Sequence, residues 1–454
     1  MRPIDELARD LPGDVLVTDQ DVMDGYRRDR ADLVGAGMPI AVARPTRTSQ
    51  VSQILRWASA CRVLVVPRGA GTGLSGGANA IDGCVIVSLE RMDAVCEINA
   101  ADQLAVVEAG VINADLERAA REHGMFYPPD PGSFDISTIG GNIATNAGGM
   151  RCVKYGVTRD SVLGLEVVLV DGRILRTGAR SIKNVAGLDL TSLFIGSEGT
   201  LGVITAATVR LRPAPAAHPA VFVASFSELP AAGDAVALIA ASGAAPSMLE
   251  LMDNQTINAI EDYRRMDLDR SAAALLIGQA DGPDALAHAE AMAARCEQAG
   301  ADYVACTQDP GEADGLIAAR RLAGHAVLAT GPTLVEDVCV PRSKLAQMLR
   351  QIEQIADDAG IRVATVGHAG DGNLHPVLLL QGTDQAARDR ALAVAQAICR
   401  AAVAHGGTVT GEHGIGMLKR EWLPAQLDRT AIDVHNRIKA ALDPGNLLNP
   451  GRGW

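Results

Sequence analysis

A chain of 454 residues, 48% of them hydrophobic, is long enough for two or three domains with ample cores. Its 41 Lys and Arg against 54 Asp and Glu leave a net charge of −13, which argues against a nucleic-acid or anionic-membrane surface. The eight cysteines, at 61, 84, 96, 152, 296, 306, 339 and 399, contain no C-x-x-C, so they read as reduced, mostly buried thiols rather than zinc or iron–sulfur ligands. A charged N-terminus without an apolar core predicts no secretory signal, and no run of about eighteen apolar residues predicts a bilayer span. The expected compartment is the cytoplasm.

Residues 1–37 are charged and helix-permissive, and Gly35-Ala-Gly37-Met-Pro39 breaks them from Ile40–Ala43. Val51, Ile54, Leu55 and Ala58 recur at helical spacing, which predicts an amphipathic helix over Ser49–Ala60 leading into a strand at Val63–Val66. Pro67-Arg-Gly-Ala-Gly-Thr-Gly-Leu-Ser-Gly-Gly77 follows. Glycine costs conformational entropy, so five in such a run point to positive φ or to a ligand against main-chain N–H groups, with packing no explanation for them. Gly71-Thr-Gly73-Leu-Ser-Gly76 also satisfies the dinucleotide fingerprint G-x-G-x-x-G. That fingerprint should open a helix. Here Ala78–Ile81, a turn at Asp82-Gly83 and strand-like Cys84–Leu89 leave no room for one. A strand–loop–strand cradle for a diphosphate is preferred to a glycine-rich hairpin that binds nothing.

Leu104–Val107 reads as a strand and Asn113–His123 as a helix ended by Gly124. Tyr127–Gly149, with prolines first and Gly140, Gly141, Gly148 and Gly149 later, reads as a long, ordered, ligand-facing loop. Its small side chains, Ser137, Thr138, Ala144, Thr145, Asn146 and Ala147, suit a flat ring, although an ordinary surface loop uses the same alphabet. Leu163–Val170 and Ile174–Thr177 form a predicted hairpin about Asp171-Gly172. Phe194–Ile204 adds a third glycine cluster. Three clusters so far apart imply an extended cofactor held at several points.

Together Pro67–Gly77, Pro129–Gly149 and Gly196–Ile204 resemble the FAD domain of the vanillyl-alcohol oxidase and p-cresol methylhydroxylase superfamily. Within it the chain is similar to the D-lactate, glycolate and D-2-hydroxyglutarate dehydrogenase group, over residues 38–454. The resemblance implies an α+β fold: a two-subdomain PCMH-type FAD-binding domain (38–213) after an N-terminal helical segment (1–37), an α+β substrate or cap domain (214–405), and a closing segment (406–454) that returns to the FAD domain. It puts the pyrophosphate on Arg68, Gly69, Ala70, Gly71, Thr72, Gly73, Leu74, Ser75 and Gly76. It puts the isoalloxazine along Pro131, Gly132, Ser137, Gly140, Gly141, Asn142, Thr145, Asn146, Gly148 and Gly149, with Glu198, Gly199, Gly202 and Ile204 completing the cofactor set. Thr72 lies where some members carry a flavin-linking histidine, so noncovalent FAD is expected.

Arg212–Pro219 marks a linker, after which strand-like runs (Ala220–Ser225, Ala274–Gln279) alternate with helical ones (Pro283–Gln298, Arg342–Ala359). In Val366-Gly-His-Ala-Gly-Asp-Gly-Asn-Leu-His-Pro376, three glycines would let a loop aim His368 and His375 at one spot. Gly411-Glu-His-Gly-Ile-Gly416 adds Glu412 and His413 in a polar turn. Two histidines and a carboxylate are a known zinc set with open positions. The family resemblance implies His368, His375 and Glu412 as metal ligands, His413 as catalytic base and Arg320 as the substrate-carboxylate anchor, with Arg321 less favoured. Zinc suits these ligands, and manganese or iron would be tolerated.

Oxidising a 2-hydroxy acid removes the hydroxyl proton while hydride leaves carbon 2 for flavin N5; a divalent metal lowers the hydroxyl pKa and a neutral imidazole takes the proton. Relatives acting on hydroxyglutarate place a hydroxyl four residues beyond the arginine and a lysine shortly before Asp337-Val-Cys-Val-Pro341. Here stand Gly324 and the lysine-free Gly331–Glu336. A short acid, D-lactate or glycolate, is therefore expected over D-2-hydroxyglutarate or D-malate. The acceptor would be a quinone, cytochrome or electron-transfer protein, and a homodimer is compatible. Two other readings are a flavin subunit of a multi-subunit glycolate oxidase and a zinc hydrolase, which would leave the glycine stretches unexplained.

Overall fold

The structure, a computed structural model, describes residues 3–31, 33–215 and 218–454. It divides into two compact units. One comprises Met1–Gly148, Gly156–Ala214 and Glu412–Trp454; the other comprises Gly149–Tyr155 and Pro215–Gly411.

The first unit contains two sheets. In the smaller, Leu16–Val17, Ala41–Ala43, Val85–Ser88 and Val65–Arg68 lie side by side in that order. The last three run parallel and are almost wholly buried, as their β-branched composition dictates. Helix Thr48–Cys61 makes the crossover between two of them and buries Val51, Ile54, Leu55 and Ala58, the stripe its spacing foretold. Residues 1–37 are not helical throughout: between the helices Pro3–Asp10 and Gln20–Asp24, strand Leu16–Val17 joins this sheet. Because Val65–Arg68 and Val85–Ser88 are parallel, the glycine stretch between them is no hairpin. Nor does a helix follow it, which removes the dinucleotide-fingerprint alternative.

The larger sheet is antiparallel, in the order Val95–Asn99, Leu104–Glu108, Val203–Arg210, Val162–Val168, Ile174–Gly178. Helices Asn113–Arg121 and Ile139–Thr145 supply Leu116, Ala120, Ile139 and Ile143 to its core. The second of these corrects the sequence reading, which left 127–149 as a loop. Thr138 caps the helix by accepting the Gly141 N–H at 3.2 Å, and Asn146 ends it in the left-handed region (φ 53°). Two glycines of poor helix propensity mask the Ile139/Ile143 repeat.

Near the C-terminus, helix Arg429–Leu442 is followed by a chain that bridges Val65 at Leu448. Asn449 Nδ2 then donates to Gly77 O at 2.9 Å and to Glu198 O at 2.7 Å.

The second unit is built on one large antiparallel sheet. Its order is Tyr303–Thr307, Ala220–Phe226, Ala274–Ala280, Met248–Asp253, Arg362–His368, Asn373–Leu379, Thr333–Val335, with Val338–Cys339 also pairing Asn373–Leu379. Helices Asn254–Tyr263 and Pro310–Leu328 pack Ile257, Ile260, Ala323 and Val327 into its core. Among the described residues no helix is long and apolar enough to cross a membrane. None of the eight cysteines forms a disulfide among the described residues, but only Cys84, Cys296 and Cys399 are buried, so the expectation of mostly buried thiols fails.

Candidate active site

The glycine stretch leaves the end of strand Val65–Arg68, and protein atoms account for two of its glycines. A Cβ at Gly71 (φ 73°) would run into the Arg68 guanidinium, and one at Gly69 into Thr138 Oγ1. Packing thus explains positions that the sequence reading reserved for a ligand. It also makes the clusters neighbours. Glu198 donates its N–H to Ala144 O at 2.8 Å, and Gly196 donates to Ile143 O at 3.0 Å. Residues from three distant segments converge in one unit.

Several buried polar atoms there have no hydrogen-bond partner among the described residues: Arg68 Nη1, Ser137 Oγ and Asn142 Nδ2, all in residues assigned to the cofactor. A buried unsatisfied group costs about 1–3 kcal/mol, so three in neighbouring stretches fit a polar ligand. Burial holds the Arg68 pKa below its ordinary value, with Asp29 and Glu90 opposing the shift. Asp29, also buried, accepts from the Ala31 N–H at 3.0 Å, and its pKa is raised by burial. Nothing in the charged run Arg27-Arg-Asp-Arg30 marked it out.

Other assigned residues are used internally. Thr145 Oγ1 donates to Gly141 O at 3.2 Å, Asn146 Oδ1 accepts from the Arg159 N–H at 2.9 Å, and Ile204 is buried in a strand. Ala70, Thr72, Gly73, Leu74 and Gly76 lie in the glycine loop; Pro131 and Gly132 form a turn; Gly140, Gly199 and Gly202 lie in the first unit, and Gly149 opens the second unit's short segment.

Glu198 and Ser75 hold a different segment. Glu198 stands in the left-handed region (φ 51°), its carboxylate accepting from the Ile415 N–H at 2.7 Å and the Gly416 N–H at 2.8 Å. Burial pushes its pKa up, against those two amides. Ser75 Oγ donates to Gly414 O at 2.9 Å, and Ser75 O accepts from the Met417 N–H at 2.8 Å. The turn carrying Glu412 and His413 is thereby fastened to the glycine stretches. Gly148 backs directly onto Glu412, whose Oε2 occupies the space a Cβ would need. Within the pair, Glu412 Oε1 lies 3.8 Å from His413 Nε2.

In the second unit, His368 and His375 stand on paired strands, not in a loop. His368 faces Asn373 and Val366 faces His375, so the two imidazoles are diagonal neighbours on one face. Their rings meet edge to face, with centroids 5.2 Å apart. Strand alternation, not the glycines of the turn, brings them together.

Two fully buried carboxylates adjoin them. On the next strand Leu251 pairs with Gly367, which sets Glu250 beside His368; its Oε2 lies 2.9 Å from His368 Nδ1 and 2.6 Å from Arg320 Nη2. Asp337 accepts from Asn373 Nδ2 at 2.7 Å, Thr410 Oγ1 at 2.6 Å and the Gly411 N–H at 2.8 Å, with His375 Nδ1 at 3.7 Å. Sequence reasoning missed Glu250, although a lone acid inside Met248-Leu-Glu-Leu-Met252 was a readable signal. It named Asp337 only as a landmark. Arg320 is buried and its Nε has no hydrogen-bond partner among the described residues, whereas Arg321 is exposed.

Residues 39–178 match the family model of an FAD binding domain, and residues 216–452 match that of the C-terminal domain of FAD linked oxidases. The chain belongs to the FAD-linked oxidases. This FAD-linked oxidase is 45% identical over 421 residues to the glycolate oxidase subunit GlcD of Bacillus subtilis (strain 168), covering 91% of its own chain and 89% of that relative. It is 36% identical to a D-lactate dehydrogenase of Archaeoglobus fulgidus, covering 94% and 95%. In fold it resembles p-cresol methylhydroxylase with a TM-score of 0.84 at 17% identity, covering 99% of this chain and 96% of that one. The α+β, PCMH-type architecture is therefore shown. FAD is the cofactor, and the unsatisfied atoms of Arg68, Ser137 and Asn142 suit it. A hydrolase reading of the oxidase has no support left.

Proposed function

We propose that this FAD-linked oxidase converts a short D-2-hydroxy acid, D-lactate or glycolate, into its 2-oxo acid and passes the electrons to an acceptor other than NAD. One contact carries the reading: the stretch assigned to the flavin ring touches Glu412 at Gly148, so the Glu412-His413 pair and the bed assigned to the ring meet inside one unit. The names of the two relatives support the substrate class.

When bound, FAD supplies the hydride acceptor, and a divalent cation on His368, His375 and Glu412 supplies charge that favours the ionised hydroxyl. The cation is zinc, or manganese or iron in its place. Support for it comes from the carboxylate of Glu250, 2.9 Å from His368 Nδ1 in the arrangement that fixes a ligating imidazole, with Asp337 3.7 Å from His375 Nδ1. His413 takes the hydroxyl proton on its ring. Arg320, held at Nη2 by Glu250, anchors the substrate carboxylate through its remaining N–H groups. Dialysis against a chelator is expected to abolish turnover while the flavin spectrum persists, and added zinc or manganese to restore it. With Thr72 in place of a linking histidine, acid precipitation should release all the flavin.

The deciding experiment is anaerobic flavin bleaching with D-lactate, glycolate, D-malate and D-2-hydroxyglutarate. The two monocarboxylates should bleach fastest; a marked preference for the five-carbon diacid overturns the proposal. The word subunit in the name of the Bacillus relative favours one alternative, a flavin subunit needing a partner. Dye reduction by the purified chain separates the two.

A further inference from the structure

We infer that Glu250 is a positioning residue that presets both the ring of His368 and the guanidinium of Arg320. The inference rests on the oxidase reading above, which gives those side chains to the cation and to the substrate carboxylate. Glu250 has no exposed surface, and at the third position of strand Met248–Asp253 it interrupts the apolar run Met248, Leu249, Leu251, Met252. A buried carboxylate is costly unless paired and hydrogen-bonded, and this one is both. Its Oε1 and Oε2 lie 3.0 and 2.9 Å from His368 Nδ1, and Oε2 lies 2.6 Å from Arg320 Nη2.

Hydrogen-bond chemistry then fixes the protons. An ionised carboxylate only accepts, so the His368 ring carries its proton on Nδ1 and its lone pair on Nε2. Arginine only donates, so the same carboxylate fixes the direction of the guanidinium. An ion pair serving the fold alone would need only Arg320. One acid thus decides which imidazole nitrogen can ligate and where the arginine fork stands.

Glu250→Gln separates these roles. Its carbonyl oxygen must serve Arg320, which has no acceptor, and its amide nitrogen then falls near the present Oε1 position, 3.0 Å from Nδ1. Two donors would face each other, so the His368 proton moves to Nε2. Nitrogen-15 spectra of histidine-labelled, metal-stripped protein, with His368 assigned by its loss in His368→Gln, should show an Nδ1-protonated ring in the parent and an Nε2-protonated ring in the variant. Competition with a chromophoric chelator should show zinc binding weakened roughly 10–100-fold, with flavin per polypeptide unchanged. Arg320→Gln, which keeps a donor toward Glu250, should retain the tautomer and the zinc affinity and raise only KM. An unchanged tautomer in Glu250→Gln, or equal loss of zinc affinity in Arg320→Gln, overturns the inference. Absence of zinc binding by the parent chain would instead sink the metal reading, leaving the tautomer to decide the role of Glu250.

Discussion

In the unit that holds the glycine stretches, Arg68 Nη1, Ser137 Oγ and Asn142 Nδ2 are buried without partners, whereas around the histidine hairpin of the other unit the acids and bases engage one another. The first region carries an unfavourable term that a bound molecule removes, which favours tight retention of a cofactor. In the second, Glu250 engages His368 and Arg320, and Asp337 engages Asn373, Thr410 and Gly411, before any ligand arrives. Its buried Arg320 Nε has no hydrogen-bond partner among the described residues, and that suits a substrate that comes and goes. Retention and turnover thus draw on different residues, and variants should separate them.

The largest expected effect is at His413. His413→Ala should lower kcat by roughly 10²–10⁴-fold with flavin content unchanged, measured by stopped-flow bleaching under anaerobic conditions. Loss of flavin instead would break the division between the two regions. Next, Ser137→Ala and Asn142→Leu should each weaken FAD binding about tenfold, read by flavin release on dilution, while zinc affinity stays as it was. Glu198→Gln sharpens the comparison further, because the resemblance assigns Glu198 to the cofactor while its carboxylate is spent on Ile415 and Gly416. Replacing one acceptor oxygen by a donor should cost about tenfold in kcat and leave FAD affinity within about threefold, since about 1.4 kcal/mol is a factor of ten. A fall in FAD affinity with normal turnover per flavin would return Glu198 to the cofactor.

Local pattern carried much of this architecture. The stripe Val51, Ile54, Leu55, Ala58 and the buried strand Val85–Ser88 follow from spacing and β-branching. Glycine proved ambiguous, because it marks a close approach without saying what approaches: Gly69 and Gly71 accommodate Thr138 and Arg68, and Gly148 accommodates Glu412. Glycines also hid helix Ile139–Thr145. His368 and His375 were visible as residues, but the reason they meet is strand register. Glu250 and Asp29 escaped for the same physical reason. His368 lies 118 residues from Glu250, and the Ala78 N–H that the Asp29 carboxylate accepts lies 49 residues away, and no window of sequence spans such pairs.

A smaller effect tests whether the sheet of the second unit depends on its acids in the way the hairpin does. Asp253 caps helix Asn254–Tyr263 through the Thr256 N–H at 2.8 Å and accepts from the Thr365 N–H at 2.6 Å, yet among the described residues no cation pairs with it. Burial outweighs those bonds and pushes its pKa up from 3.8 to about 6. The native state therefore holds this proton more tightly than the unfolded chain does. The resulting stabilisation is fully present below the unfolded pKa and is lost as pH rises through about 6. Asp253→Asn keeps a capping oxygen and removes the titration. The variant should gain on the parent by up to ~3 kcal/mol as pH rises from 4 to 7, seen as a change in the difference of their Tm values. A Tm difference independent of pH would mean that the two amides hold Asp253 ionised, as paired acids are held, and the contrast between charge-balanced and isolated carboxylates would fall with it.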